Sequence, residues 1–329
     1  MTHLRLELPA PAAARLTVLD ELKGVAILLV VAYHAGGVLG LPNNLHADAG
    51  VDIFVILSGL GLALGPDARG ARPFFLRRFK RIYPTYWLVL TACVLANVRF
   101  LQLHYSTANL ALHFLGIHGW FGDAIGMSIN DSFWFITLIV TLYPLYWILR
   151  SSLDAPDKIL LWGGAFSFAA AALFFYTGQS GIFAHFALRL PGFFLGLVLG
   201  RLLRDGRLEL PLSATLAGAF LLFFYVPYTQ GIIFGSVPVG LTLLFAYAFL
   251  LRPRASEALR RKLRFLGDHS LEIFLVHQPL IREYNVYLLG RWFGIPAPTT
   301  GALCVGIAVG LGAALVLSVE LHKLTARFR

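Results

Sequence analysis

Charge is what this sequence has least of. Asp, Glu, Lys and Arg make up 13% of its residues against 58% hydrophobic, and the mean hydropathy is +0.73. A soluble domain carries roughly 25% charged residues, so this chain cannot cover a water-facing surface. Cysteine is nearly absent. Cys93 and Cys304 both fall in apolar runs, make no zinc spacing and indicate no redox compartment. Missing too are a P-loop, a dinucleotide-binding glycine pattern, a Gly-x-Ser-x-Gly elbow and a cysteine–histidine metal array. No metal site is expected.

What is there is a succession of long apolar runs. A membrane helix takes about 17–25 apolar residues. The runs number roughly ten, over 22–41, 50–65, 82–98, 133–150, 158–176, 184–204, 211–227, 231–251, 269–289 and 299–321. The expected fold is all-α, a polytopic transmembrane helix bundle forming one domain over 1–329. Segment 1–21 is expected in the cytoplasm, 22–321 in the bundle, and 322–329 as a cytoplasmic tail. The first run is long for the apolar core of a signal peptide and no small-residue cleavage site follows it, so it reads as the first span. Ser58-Gly59 and Gly61 mark the short second run as bent or closely packed. The longest outer stretch, 99–132, includes a segment over 109–120 suited to an amphipathic helix at the interface.

Orientation follows from the cations. Arg99, Arg282 and Arg291 fall on one set of connections and Arg189 inside a span; the other 23 of the 27 Lys and Arg residues share the opposite side with both termini. By the positive-inside rule that side is the cytoplasm. The net charge of +10 needs no nucleic-acid partner to account for it.

Ionisable residues inside membrane helices are costly and mark function by default. His34 lies twelve residues past Leu22, about 18 Å along the axis at ~1.5 Å per residue. Lys23, eleven residues earlier, returns to within about 20° of the same face. A core histidine bonded to a backbone carbonyl is the plain alternative. Arg77 and Arg81 are four apart and point to one side of a helix, with Arg78 beside them. Their forked guanidiniums suit phosphate oxygens, although orientation alone also calls for cations there. Ser58 is expected level with His34, able to meet the imidazole or a substrate hydroxyl, or to serve as a packing notch. Glu272 and His277 share the ninth run with Pro279, which frees a backbone carbonyl. Arg189 is followed by Pro191, and its pairing with Asp131 or Glu272 is the plain reading. Asp20 and Asp52 are further candidates. Asp20 is about 21 Å from His34 along the helix, too far to orient the imidazole, and is expected to hold Lys23 or a nearby arginine. His104, His113 and His118 lack the i, i+4 spacing of a helical metal site and read as interfacial side chains.

Four segments together resemble a known family. The run from Leu19 to His34, with Asp20, Lys23 and Gly24, is similar to the first helix of the bacterial membrane acyltransferases called acyltransferase family 3. Gly50-Val-Asp-Ile-Phe through Leu-Ser58-Gly59 resembles the second-helix signature of that family. Arg77-Arg78-x-x-Arg81-Ile-Tyr-Pro84 resembles its basic motif, and Ser270 through His277 to Pro279 its late motif. The resemblance implies acyl-CoA, expected to be acetyl-CoA, as a cytoplasmic co-substrate. It implies a hydroxyl acceptor on an envelope glycan or lipid-linked sugar, and His34 as the catalytic histidine. Phosphates would then rest on Arg77, Arg78 and Arg81 with Lys23 near the same mouth, and the pantetheine arm would reach toward His34. Ser58 and His277 complete the catalytic candidates. Direct acyl transfer through the histidine stays open, as do a homo-oligomer and a separate periplasmic partner.

The chain departs from the pattern in places. Lys23 stands where arginine is usual, and Ile139 where many members carry a glutamate after the tryptophan of the fourth helix, although Tyr143 fits. The esterase-like domain fused to some members is not found. The alternative function is a secondary transporter or flippase of an envelope intermediate, with the intramembrane charges as a relay; the two related halves common in transporters are not visible. Topology is directly testable. Cysteines placed at Asn44 and Ser256 should label from opposite sides of the membrane, and equal labelling of both from outside would refute the ten-span reading.

Overall fold

The computed structural model describes residues 3–5, 17–42, 47–65, 70–177, 182–205, 209–211, 237–295 and 299–328. Apart from one antiparallel pair of three-residue strands, β1 (His3–Arg5) with β2 (Glu209–Pro211), the described elements are helices and turns. The principal helices are α1 (Thr17–Val38), α2 (Ala49–Leu64), α3 (Ala71–Phe100), α4 (Thr107–Leu115) and α5 (Asp123–Gly126). They continue with α6 (Trp134–Leu149), α7 (Pro156–Thr177), α8 (Ile182–Arg204) and α9 (Val237–Phe245), the last running into a π-helical turn, Ala246–Leu251. The chain closes with α10 (Glu257–Asp268), α11 (Ser270–Ile281), α12 (Glu283–Phe293) and α13 (Thr300–Ala326).

Three described segments are long and apolar enough to cross a membrane: Asp131–Ser152, His185–Arg204 and Thr300–Ala326, with the shorter apolar Ala49–Leu64 beside them. The seventh expected span lies outside the described residues except for Pro211. The ninth is not one helix. Its run breaks at Arg282, with φ −115° and ψ −80°, into α11 and α12. Pro279 has no N–H to donate four residues back, so the carbonyl of Leu275 is free, and Asn130 Nδ2 donates to it at 3.0 Å. The guanidinium of Arg282 turns to Asp131, 2.5 Å from Oδ2.

Several helix pairs approach through glycine, and two of them are closest, backbone to backbone. A Cβ on Gly196 would lie 2.0 Å from the carbonyl oxygen of Ile56, and one on Gly59 2.2 Å from that of Phe193. This fixes α2 on α8 at backbone contact, the use of small residues expected where lipid supplies no hydrophobic drive. Likewise Gly24 meets the Leu263 carbonyl and Gly267 that of Asp20, seating α10 on α1. Glu21, fully buried at the same junction, accepts from Arg252 Nε at 2.8 Å, Arg264 Nη1 at 3.2 Å and the Tyr247 hydroxyl at 3.0 Å.

Segment 99–132 departs from expectation. α4 starts on a Ser106 cap, whose hydroxyl oxygen accepts from Asn109 N, and ends at Gly116 with φ +74°. His113 and His118 are not interfacial side chains. Both are buried, with their rings stacked at 4.0 Å and 8° apart, because the turn after Gly116 folds back over α4. Burial pushes the His118 imidazole down to about 3 and lowers that of His113. A folded-state value below the unfolded one favours the native state fully above about pH 6.5, and this contribution is lost as pH falls toward the folded value. For His118 the loss at pH 5 is about 2 kcal/mol. The melting temperature of the detergent-extracted protein should therefore fall between pH 7.5 and 5, and His118→Phe should flatten that fall. An unchanged slope would show that other groups set the acid sensitivity.

Candidate active site

Six helices converge on a cavity of about 620 Å³. α1 contributes Leu19 and Lys23; α2 contributes its face from Phe54 through Ser58 and Gly61 to Gly65; α3 contributes Arg77, Arg78, Arg81 and Ile82. α6 lines it from Phe135 to Trp147, α11 from Ser270 to Phe274, and Arg150 and Arg201 close the mouth. The cavity thus has a cationic end and an apolar end.

At the cationic end are Lys23, Arg77, Arg78, Arg81, Arg150 and Arg201, and none of the described residues lining the cavity is acidic. Lys23 Nζ donates to Asp20 Oδ1 at 3.0 Å, three residues back on α1. Arg77, Arg78 and Arg81 have no carboxylate partner among the described residues. Arg78 lies over two rings instead, 4.9 Å from the Phe74 centroid and 5.7 Å from that of Tyr143, the placement a weakly hydrated guanidinium tolerates. Arg150 lies against the Trp147 ring at 3.4 Å. Such a mouth is built for an anion of several charges, and phosphate oxygens suit it.

At the apolar end the rings of Phe54, Phe135 and Phe274 meet. Their centroids lie 6.1 Å apart for Phe54 and Phe135, 6.2 Å for Phe54 and Phe274, and 4.8 Å for Phe135 and Phe274. One turn beyond Phe274 is His277, and its ring is 5.0 Å from that of His34. The imidazole of His277 is fully buried. Its Nδ1 faces the carbonyls of Ile273 at 3.1 Å and Phe274 at 2.9 Å. Those acceptors put the proton on Nδ1, which leaves Nε2 a lone pair, and that atom has no partner among the described residues. Asp131 and Arg282 form their ion pair near His34, and Gln278 Nε2 donates to the same Asp131 at 3.2 Å while its Oε1 accepts from Ser132.

The remaining candidates distribute differently from expectation. Ser58 lines the cavity, but its hydroxyl donates to Phe54 O at 2.8 Å and makes no hydrogen bond with His34. His277, not Ser58, is the neighbour of His34. Arg189 pairs with neither Asp131 nor Glu272. Its Nε lies 3.7 Å from Asp52 Oδ1, its Nη1 is 3.1 Å from His185 Nδ1, and its guanidinium stands over Trp134. The reason is position: α2 and α8 are locked together by their glycines, which brings Asp52 and Arg189 face to face. Glu272 is fully buried and lies 3.3 Å from His322 Nδ1 on α13. Among the described residues no group of three or more His, Cys, Asp or Glu side chains is arranged to hold a metal ion.

Sequence reasoning missed Arg150 and Arg201 as parts of the site, and all three phenylalanines. The two arginines were counted as topology cations, and spacing within one helix cannot tell which face of it meets a cavity. Ile139 and Tyr143 both line the cavity, so the position where the resemblance leads one to expect a glutamate presents an apolar side chain to it.

The chain is similar to the "Putative membrane-bound transacylase BcsY" of Komagataeibacter xylinus, 28% identical over 320 residues that cover 89% of this chain and 79% of that one. It is also similar to the "Putative acetyltransferase ORF330" of Acidianus two-tailed virus, 25% identical over 296 residues covering 84% and 86%. No solved structure matches it significantly. The family model described as an acyltransferase domain matches residues 17–319, nearly the whole chain, and the protein therefore belongs to acyltransferase family 3.

Proposed function

We propose that the protein is an acyl-CoA-dependent O-acyltransferase of the bacterial inner membrane. In this reading it moves an acyl group, acetyl by expectation, to a hydroxyl of an envelope glycan or lipid-linked sugar, with His34 as general base. The observation that carries it is the cavity, cationic and without a carboxylate among its described lining residues at one end, and approaching the paired imidazoles of half-buried His34 and buried His277 at the other. The chain crosses the membrane ten times with both termini in the cytoplasm, so that the cationic mouth opens where acyl-CoA is found.

Arg77, Arg78 and Arg81 bind the donor's phosphates, with Lys23 on the opposite wall. Trp147 and Phe135 are twelve residues apart on α6, a span of about 18 Å at ~1.5 Å per residue, along which the extended pantetheine arm lies. The acceptor oxygen attacks the thioester carbonyl carbon as His34 takes the hydroxyl proton. A carbon–oxygen bond forms, the carbon–sulfur bond breaks, and CoA leaves as a thiolate that recovers the proton from the imidazolium. Such base catalysis is typically worth 10²–10⁴-fold. His277 packs against His34 and, with its Nε2 free to accept, helps hold the acceptor hydroxyl. The Asp131–Arg282 pair fixes the elements around them.

Two measurements test this. Replacing Arg77, Arg78 and Arg81 together with glutamine should weaken CoA binding at least roughly tenfold, because each charge-assisted hydrogen bond is worth about 1.5–3 kcal/mol. Binding to the unmodified protein should fall with added salt. Normal CoA affinity in the triple variant would leave the cluster as a topology signal alone. His34→Ala should abolish transfer while the protein stays monodisperse and binds CoA, and His277→Ala should keep measurable turnover. The opposite ranking, with each variant normalised to folded protein, would make His277 the base.

A further inference from the structure

The donor cavity stops short of the imidazoles. Neither His34 nor His277 lines it. Phe54 of α2, Phe135 of α6 and Phe274 of α11 line it, three rings from three helices in mutual contact at 4.8–6.2 Å. Phe274 is also 5.8 Å from the His277 ring, so the rings and the histidine pair share a boundary. Phe135 and Phe274 are buried and Phe54 is half-buried. The wall just above them is apolar, with Leu57, Ile136 and Ile139.

We infer that Phe54, Phe135 and Phe274 form an aromatic partition between the donor cavity and the histidine pair, and that the space it leaves sets the length of acyl chain accepted. The inference rests on the donor reading above. A thioester whose carbonyl is to meet His34 must bring that carbon to the partition. The acyl tail must then fit among the rings or beyond them. Rings in edge and tilted contact are close-packed, so a short acyl group passes and each further methylene must displace an aromatic side chain. Removing one ring opens apolar space that a longer chain fills favourably. The partition also keeps water on the donor side from the imidazoles until the acyl group occupies it.

The test reads binding, so it needs no identified acceptor. CoA and the non-reactive thioethers S-ethyl-, S-butyl- and S-hexyl-CoA are titrated into the purified full-length protein and into Phe135→Ala and Phe54→Ala. Phe135→Leu and Phe54→Leu serve as milder variants in case the alanines fail to fold. In the unmodified protein the affinity relative to CoA should peak at S-ethyl and fall with length. In the variants the S-hexyl-to-CoA affinity ratio should rise roughly tenfold, the effect of burying two more methylenes. If the unmodified protein binds CoA and the ratio stays the same in every folded variant, the three rings are core packing only and the inference is overturned. If the unmodified protein binds no CoA, the donor reading fails and the partition falls with it.

Discussion

Charge inside a helix bundle in lipid must be neutralised where it lies, since an ion at the bilayer centre costs about 2.5–3.5 kcal/mol on insertion scales. Most of this structure can be read as the answer to that constraint. Glu21 gathers Arg252, Arg264 and Tyr247 from elements more than two hundred residues away. Asp52 faces Arg189 at 3.7 Å, a separation too long for a hydrogen bond, so the attraction there is Coulombic. Glu272, fully buried, meets His322 at 3.3 Å. Each pair ties together helices that are distant in sequence. Against that background the arginines of α3 stand out, because aromatic rings hold Arg78 and no described carboxylate neutralises the three. That leaves the described lining of the cavity with an excess of positive charge.

The same economy governs the backbone. Glycines at helix crossings let α2 sit on α8 and α1 on α10 at contact distance, and those contacts decide which polar side chains meet. Pro279 leaves one carbonyl without a helical donor, and Asn130 supplies it from another element. That bond ties the segment before α6 to α11, the helix that carries both Phe274 and His277. The histidine pair is thus positioned by backbone chemistry as much as by its own contacts.

Several features were legible beforehand. The apolar runs gave the helical membrane class, and α1, α2, α7, α8 and α13 begin and end within a few residues of the expected spans. Lys23 and the α3 arginines were singled out, and they do share one cavity. The expectation that Asp20 holds Lys23 agrees with their 3.0 Å contact. Other expectations failed for identifiable reasons. Charge sign alone offers Arg189 Asp131 or Glu272, but the glycine-locked crossing of α2 and α8 brings it to Asp52. His113 and His118 were read as interfacial because a short amphipathic stretch says nothing of the turn that folds back and buries both.

What the sequence by itself determined is what depends on local pattern: hydrophobic length and the motifs that resemble one family. These need only neighbours along the chain, and membrane partitioning reads them residue by residue. Which side chains meet was decided by tertiary structure alone. The neighbour of His34 is His277, 243 positions away, and the rings of Phe54, Phe135 and Phe274 come from three helices. Contacts of that kind depend on helix rotation and crossing, and these are fixed by small-residue packing and buried ion pairs between segments whose spacing in sequence carries no record of them.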